Sequence, residues 1–336
     1  MGETSSPRPG EELNLQRLAV WLSEPLASIE QFPGGHSNLT YLVRTSSGGE
    51  MVLRRPPMGP LAPKAHDMVR EARLLQAVHP HFGAAPRVLA ICEDVEVLGA
   101  PFFLMERRWG LIVRNSLPAE LAGQTGAISE GFLDTLVRLH SIDAGRPELR
   151  WIGKPEGFLE RQVAGWGERW RRSVKEPMVE MEPVLEWLAA KRPETGGATL
   201  VHNDYKLDNL MLSERAPGEV AAVLDWEMAT LGDPLADLGL ALTYWVHADV
   251  PGLGRLTAAP GFWSRDRMVE EYARRSGREV LSIAYYEVLG VFKLAVILQQ
   301  IYRRYLDGQT RDERFAGFGA MVEQLGAKAR ELMDDR

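Results

Sequence analysis

His202, Asp204, Asn209 and Asp225 fall in two short patches, LVHNDYKLDNLML (200–212) and VAAVLDWEMATLGDPLADLG (220–239). The first reads H-x-D-x4-N between apolar flanks. The second sets an aspartate at the end of an apolar, β-branched run. One carboxylate to take the proton of an acceptor hydroxyl, with an amide and a second carboxylate for metal, is the set that phosphoryl transfer needs. Phosphates travel with hard cations, which take oxygen ligands, and Asn and Asp supply them.

Taken singly, each residue is ordinary. Asp204 suits a turn, Asn209 a turn or cap, and Asp225 a helix N-cap. Together they coincide with more. The gap from Asp204 to Asn209 matches the spacing of a kinase catalytic loop. Apolar runs flank both patches, so both can be strands, and ERAPGE (214–219) supplies the turn of a hairpin between them.

The chain resembles the aminoglycoside phosphotransferase and choline kinase family, which has a protein-kinase-like fold. Within it, the resemblance is strongest to kinase-like domains fused to, or encoded beside, acyl-CoA dehydrogenases. It is carried, in order, by GGHSNLTYLV (34–43), MVLRRPP (51–57), REARLLQAV (70–78), FFLMERRWG (102–110), GFLERQVAGW (157–166), HNDYKLDNLM (202–211) and LDWEMATLGDPLADLG (224–239). The resemblance implies a bilobal α+β fold, an N-terminal antiparallel sheet lobe followed by a mainly helical C-terminal lobe. It implies ATP and Mg²⁺ as cofactors and a small-molecule hydroxyl as acceptor; the narrower group suggests a hydroxyacyl-CoA or a hydroxy acid.

Residue by residue, the resemblance makes Asp204 the catalytic base and Lys206 a candidate for stabilising the transferred group. Asn209 and Asp225 become metal ligands, and Glu227, which replaces the glycine of D-F-G, either assists metal binding or hydrogen-bonds nearby backbone. Gly35, His36, Ser37 and Asn38 form a turn over the nucleotide phosphates, where small residues let backbone N–H groups approach. Arg54 stands where protein kinases place a strand lysine, with Glu71 as its helix partner. Arginine keeps the charge, but its planar fork is not an ammonium. Arg55 is the rival, because strand alternation lets only one of the two face a given side. Met105 would lie beside the adenine, with backbone around Glu106 and Arg108 at its edge. His202 anchors the catalytic loop, and Asn203 replaces a glycine while tolerating a left-handed backbone. Asp233 reads as an N-cap before Pro234, and Asp237 as the carboxylate that braces the loop.

Composition agrees. A chain of 336 residues exceeds one small core. Hydrophobic content of 45% with 25% charged is ordinary for a globular protein. A net charge of −7 offers no general basic surface, which argues against a nucleic-acid partner. The lone cysteine, Cys92, sits in an apolar run and reads as core. No apolar run approaches a membrane span, and VLGVFKLAVIL is broken by Lys293. The N-terminus lacks a positive-then-apolar signal pattern, so a cytoplasmic protein is expected.

The order of elements divides the chain into a disordered tail (1–12), a nucleotide-binding lobe (13–107) and a catalytic, acceptor-binding helical lobe (108–336) with a helical insertion at 151–192. The stretch 151–174 holds Trp151, Trp166 and Trp170 beside Arg161, Arg169, Arg171 and Arg172. It reads either as a tryptophan-packed helical pair or as a surface for a large, partly anionic ligand such as a coenzyme A thioester. Three functions stand open. The first is a small-molecule kinase. The second is an aminoglycoside kinase, against which the basic character of 151–174 argues. The third is a catalytically silent nucleotide-binding scaffold, which the presence of Asp204, Asn209 and Asp225 disfavours.

Overall fold

In the computed structural model, which describes residues 4–33, 38–59, 66–114, 116–175, 181–245, 256–310 and 312–334, the strand signals of the N-terminal third join in one sheet. Gly35, His36 and Ser37 lie outside the described residues. The chain divides into two units, one of Met1–Gly110 with Ala221–Glu227, the other of Leu111–Val220 with Met228–Arg336. The first is built on an antiparallel sheet and the second is mainly helical, an α+β architecture.

The first unit runs α1 (Leu15–Leu22), β1 (Leu26–Gln31), β2 (Leu39–Thr45), β3 (Glu50–Arg55), α2 (Met68–Val78), β4 (Val88–Cys92), α3 (Val95–Leu98) and β5 (Phe102–Glu106). Its strands lie in the order β1-β2-β3-β5-β4, every pair antiparallel. Side chains alternate across a strand, so Leu39, Tyr41 and Val43 share one face. With Leu18, Leu53, Cys92, Leu98, Phe102 and Leu104 they form a buried cluster against α1 and α3. Leu53 faces that cluster, which settles the rivalry between the arginines. Arg55 follows Leu53 by two and donates to the Leu98 carbonyl at 3.0 Å, while Arg54 turns to the side where α2 packs.

Residues 4–12 differ from the tail expected there. Ser5 pairs with Gln31, and Tyr41, fully buried, donates its hydroxyl to the Glu11 carbonyl at 2.7 Å. The Gln31 side chain also donates to the Glu11 carboxylate at 2.6 Å. A buried phenol needs a partner, and this polar segment provides it.

The second unit contains β6 (Leu111–Ile112), α4 (Thr125–His140), α5 (Phe158–Ser173), α6 (Glu182–Ala190), β7 (Thr199–Val201) and β8 (Leu210–Leu212). The chain then passes through β9 (Val220–Val223), whose residues from Ala221 onward group with the first unit. It returns in β10 (Thr230–Gly232), α7 (Pro234–Thr243), α8 (Arg265–Ser276), α9 (Ile283–Leu306) and α10 (Phe318–Asp334). β10 pairs with β7, Leu231 opposite Leu200, and β6 pairs with β8.

Helix α7 starts where Asp233 accepts from the Leu235 amide and Pro234 occupies the first turn. All of its residues are buried. It meets α9 backbone to backbone: a Cβ on Gly239 would stand 2.4 Å from the Tyr286 carbonyl, and one on Gly290 would stand 2.9 Å from the Gly239 oxygen. Length and composition alone would let α9 cross a membrane, contrary to the expectation for this stretch. Its apolar window is 89% buried inside the protein, which accounts for the hydropathy.

Candidate active site

Strand β7 delivers the chain into the loop 202–209, and one buried carboxylate holds that loop. Asp237, in the first turn of α7, accepts from the backbone N–H of His202 at 2.5 Å and of Asn203 at 2.6 Å. The His140 ring is 3.3 Å from the same carboxylate and 2.8 Å from the Tyr272 hydroxyl. Burial alone would push the Asp237 carboxyl up; the bonds from His140 and His202 outweigh it and hold it below its usual range. Asn203 adopts φ 64, the left-handed conformation expected of a residue standing in for glycine. Its side-chain N–H₂ donates to the Met228 carbonyl at 3.1 Å.

That turn presents Asp204. The Lys206 ammonium lies 2.9 Å from each carboxylate oxygen of Asp204, and Asn209 Nδ2 donates to Asp204 Oδ2 at 2.8 Å and to its carbonyl at 2.9 Å. A carboxylate offers about four lone-pair sites, so these three contacts leave one for a further donor. Asn209 directs its amide nitrogen inward, and its Oδ1 remains as the hard oxygen a divalent cation takes. Burial would lower the Lys206 pKa, but Tyr244 and Asp204 reverse the effect and hold it well above the ordinary lysine value. The lysine also stands 5.2 Å from the centre of the Tyr244 ring.

The second group belongs to the first unit. Arg54 Nη2 lies 3.3 Å from Glu71 Oε1 and 3.1 Å from Asp225 Oδ1. Asp225 has φ 66, and the segment around it is pinned by a bond from the Val223 amide to the Ala84 carbonyl and by Trp226 packing edge-on to Phe82. Glu227 accepts from Asn38 Nδ2 at 2.9 Å, and Asn38 Oδ1 is 2.9 Å from the His66 ring. Arg70 donates to the Glu227 carbonyl at 3.1 Å.

Two carboxylates, Glu71 and Asp225, therefore flank one guanidinium, and Glu227 is near enough to act on its charge. Burial pushes the Glu71 carboxyl up to about 7 despite Arg54, and Asp225 and Glu227 add to the shift. Burial likewise raises Glu227, with Asp225 contributing. Arg54 Nε and Glu71 Oε2 are buried without a hydrogen-bond partner. An excess of oxygen anions with unsatisfied polar atoms suits a divalent cation and a phosphate, the former at Asp225 and Glu227, the latter at Arg54. No group of three His, Cys, Asp or Glu among the described residues forms a metal cluster by itself.

Met105 and Glu106 end β5, Met105 buried. The Glu106 amide is engaged with the Arg87 carbonyl at 2.9 Å, and its carboxylate with Arg108 at 2.7 Å. Arg108 also donates to the Gly83 carbonyl at 2.8 Å. His66, Arg70 and Tyr244 join these groups without any motif to announce them; only their distance from Asn38, Glu227 and Lys206 reveals them.

A sheet unit with a strand arginine paired to a helix glutamate, and a helical unit with a braced aspartate loop, define a phosphotransferase of the protein-kinase-like fold. The model of the phosphotransferase enzyme family matches residues 28–276, and the chain belongs to that family. Acyl-CoA dehydrogenase family member 10 of Mus musculus is 35% identical over 337 residues, covering 96% of this chain and 31% of that protein. Family member 11 of Mus musculus is 31% identical over 329 residues, covering 93% of this chain and 42% of that protein. The chain thus spans less than half the length of these relatives. A crystal structure of a proposed aminoglycoside phosphotransferase from Ralstonia eutropha superposes with a TM-score of 0.81 at 29% identity, covering 95% of this chain and 99% of that one.

Proposed function

We propose that the chain moves the γ-phosphoryl group of ATP to a hydroxyl of a small molecule, with Mg²⁺ as the accompanying ion. The observation that carries this reading is the bracing of Asp204: Lys206 and Asn209 fix its carboxylate, and Asp237 fixes the backbone beneath it. Asp204 uses its remaining lone pair to orient the acceptor hydroxyl and take its proton. Lys206 holds the Asp204 carboxylate in place and sets positive charge beside the transferred group. Arg54, positioned by Glu71, contacts the nucleotide phosphates. Asp225 and Glu227 would hold the metal through carboxylate oxygens, and Asn209 offers an amide oxygen of the same hard character. Bound Mg²⁺–ATP supplies the phosphoryl group and neutralises its charge. A reaction that draws on ATP fits a cytoplasmic protein.

For the acceptor we favour a hydroxy acid or hydroxyacyl-CoA. Support comes from the two acyl-CoA dehydrogenase family members, in which this chain corresponds to only part of the length. The name of the Ralstonia eutropha protein favours an aminoglycoside instead. The arginines of α5 oppose that reading, because a polycationic drug calls for acidic side chains. Phosphate transfer from labelled ATP to a panel of hydroxy acids, hydroxyacyl-CoAs, sugars, choline and aminoglycosides tests the proposal. Transfer to an acid or acyl-CoA, abolished by Asp204→Asn, supports it. Transfer to aminoglycosides alone replaces the acceptor, and a chain that neither binds ATP nor transfers phosphate is a silent scaffold.

A further inference from the structure

Within the second unit a buried cation has no counter-ion among the described residues. Lys293, on α9, is 3% exposed, and among the described residues it makes no hydrogen bond or ion pair. Its ammonium stands 5.6 Å from the centre of the Trp166 ring on α5, a helix that packs on α9. The exposed Arg169 guanidinium lies 4.4 Å from the same ring and also lacks an acidic partner among the described residues. The other arginines of α5 are occupied. Arg161 donates to the carbonyls of Lys154 and Glu156, Arg171 pairs with Glu182 at 2.9 Å, and Arg172 with Glu168 at 2.8 Å.

A buried ammonium without an anion is expensive, and a cation–π contact returns only about 0.5–2 kcal/mol. Burial pulls the Lys293 pKa down to about 8. The carboxylates of Asp237 and Asp204 and the guanidinium of Arg169 all act on its charge. Asp237 is already engaged by His140 and two backbone amides, and Asp204 by Lys206 and Asn209. Neither carboxylate is within bonding reach of Lys293. Two cations on one indole, unmatched among the described residues and close enough to the candidate base to feel its charge, describe a place for an anion.

We propose that Lys293 and Arg169, set about Trp166, bind an anionic oxygen group of the acceptor whose hydroxyl Asp204 activates. This inference rests on the phosphotransferase reading and makes Lys293 a specificity-determining residue for it. The acceptor then carries a hydroxyl and, some carbons away, a carboxylate or a phosphate.

Calorimetry on the full chain with Mg²⁺ and a non-hydrolysable ATP analogue tests this with three matched probes: 3-hydroxybutyrate, 3-hydroxybutyl phosphate and neutral butane-1,3-diol. At least one anion should bind about tenfold or more tighter than the diol, and the stronger of the two tells carboxylate from phosphate. Lys293→Met and Arg169→Gln should each remove that preference while leaving nucleotide and diol affinity unchanged. Lys293→Met should also melt above the wild type, because a neutral side chain of similar length replaces an uncompensated charge; a lysine needed only for folding would lower the melting point. Arg169 is exposed, so Arg169→Gln reports even if Lys293→Met folds poorly. Equal binding of anions and diol, no binding of any probe, or an anion preference that survives both substitutions overturns the inference while nucleotide still binds. Failure of the underlying reading looks different: no Mg²⁺-dependent nucleotide binding at all, which removes the acceptor role with it.

Discussion

The two acidic groups of this protein are finished to different degrees. Around Asp204, Lys206 and Asn209 satisfy the carboxylate, and Asp237 satisfies the backbone beneath it. Around Arg54, two carboxylates share one guanidinium under the charge of a third, Glu227, and buried polar atoms stay unpaired. The first is preorganised for a proton transfer that needs a fixed oxygen. The second holds an imbalance that a metal ion and phosphates would correct. A base gains from being locked before substrate arrives, whereas a cation site keeps its ligands uncompensated until the cation comes.

Substitutions can break this contrast. Asp204→Asn should lower turnover by about 10²–10⁴-fold with little change in nucleotide affinity, read from kcat and from nucleotide calorimetry. Asp225→Asn should do the reverse, weakening Mg²⁺-dependent nucleotide binding by about 10²-fold. If both substitutions changed the same parameter, the division of labour would be wrong. Asp237→Ala leaves two buried amides without an acceptor and should cost about 2 kcal/mol of stability, visible as a lower urea midpoint.

Glu71 sharpens the contrast further. Its folded pKa, about 7, lies above the ordinary carboxyl value, so the folded chain keeps a proton that the unfolded chain has lost. Its contribution to stability is therefore present at low pH and declines as pH rises from the ordinary carboxyl range to about 7. Glu71→Gln should flatten that decline in nucleotide-free protein, measured as melting temperature against pH.

Much of this arrangement is legible in the chain itself. Asp233 and Asp237 declare themselves through the proline that follows the cap and the four-residue step to the brace. Asn203 announces a left-handed turn by its type. Which of Arg54 and Arg55 meets Glu71 is not legible, because MVLRR reads alike from either face until Leu53 is known to join the α1–α3 cluster. The segment 4–12 misleads through its polarity; its backbone oxygen satisfies Tyr41, a contact no local pattern records. Lys293 is hidden for the opposite reason. Inside VLGVFKLAVIL it looks like an interruption of a core helix, and only the placement of Trp166 and Arg169 makes it a candidate for binding.

Gly239 and Gly290 bring α7 and α9 so close that neither position has room for a methyl group. The spacing between the aspartate that steadies the loop and the lysine three residues beyond Gly290 is thus gauged largely by main chain, with Thr243 Oγ1 beside Gly290. Side-chain variation along either helix can recolour the surroundings of an acceptor without altering that gauge, so selectivity is free to drift while the reach from base to anchor stays constant.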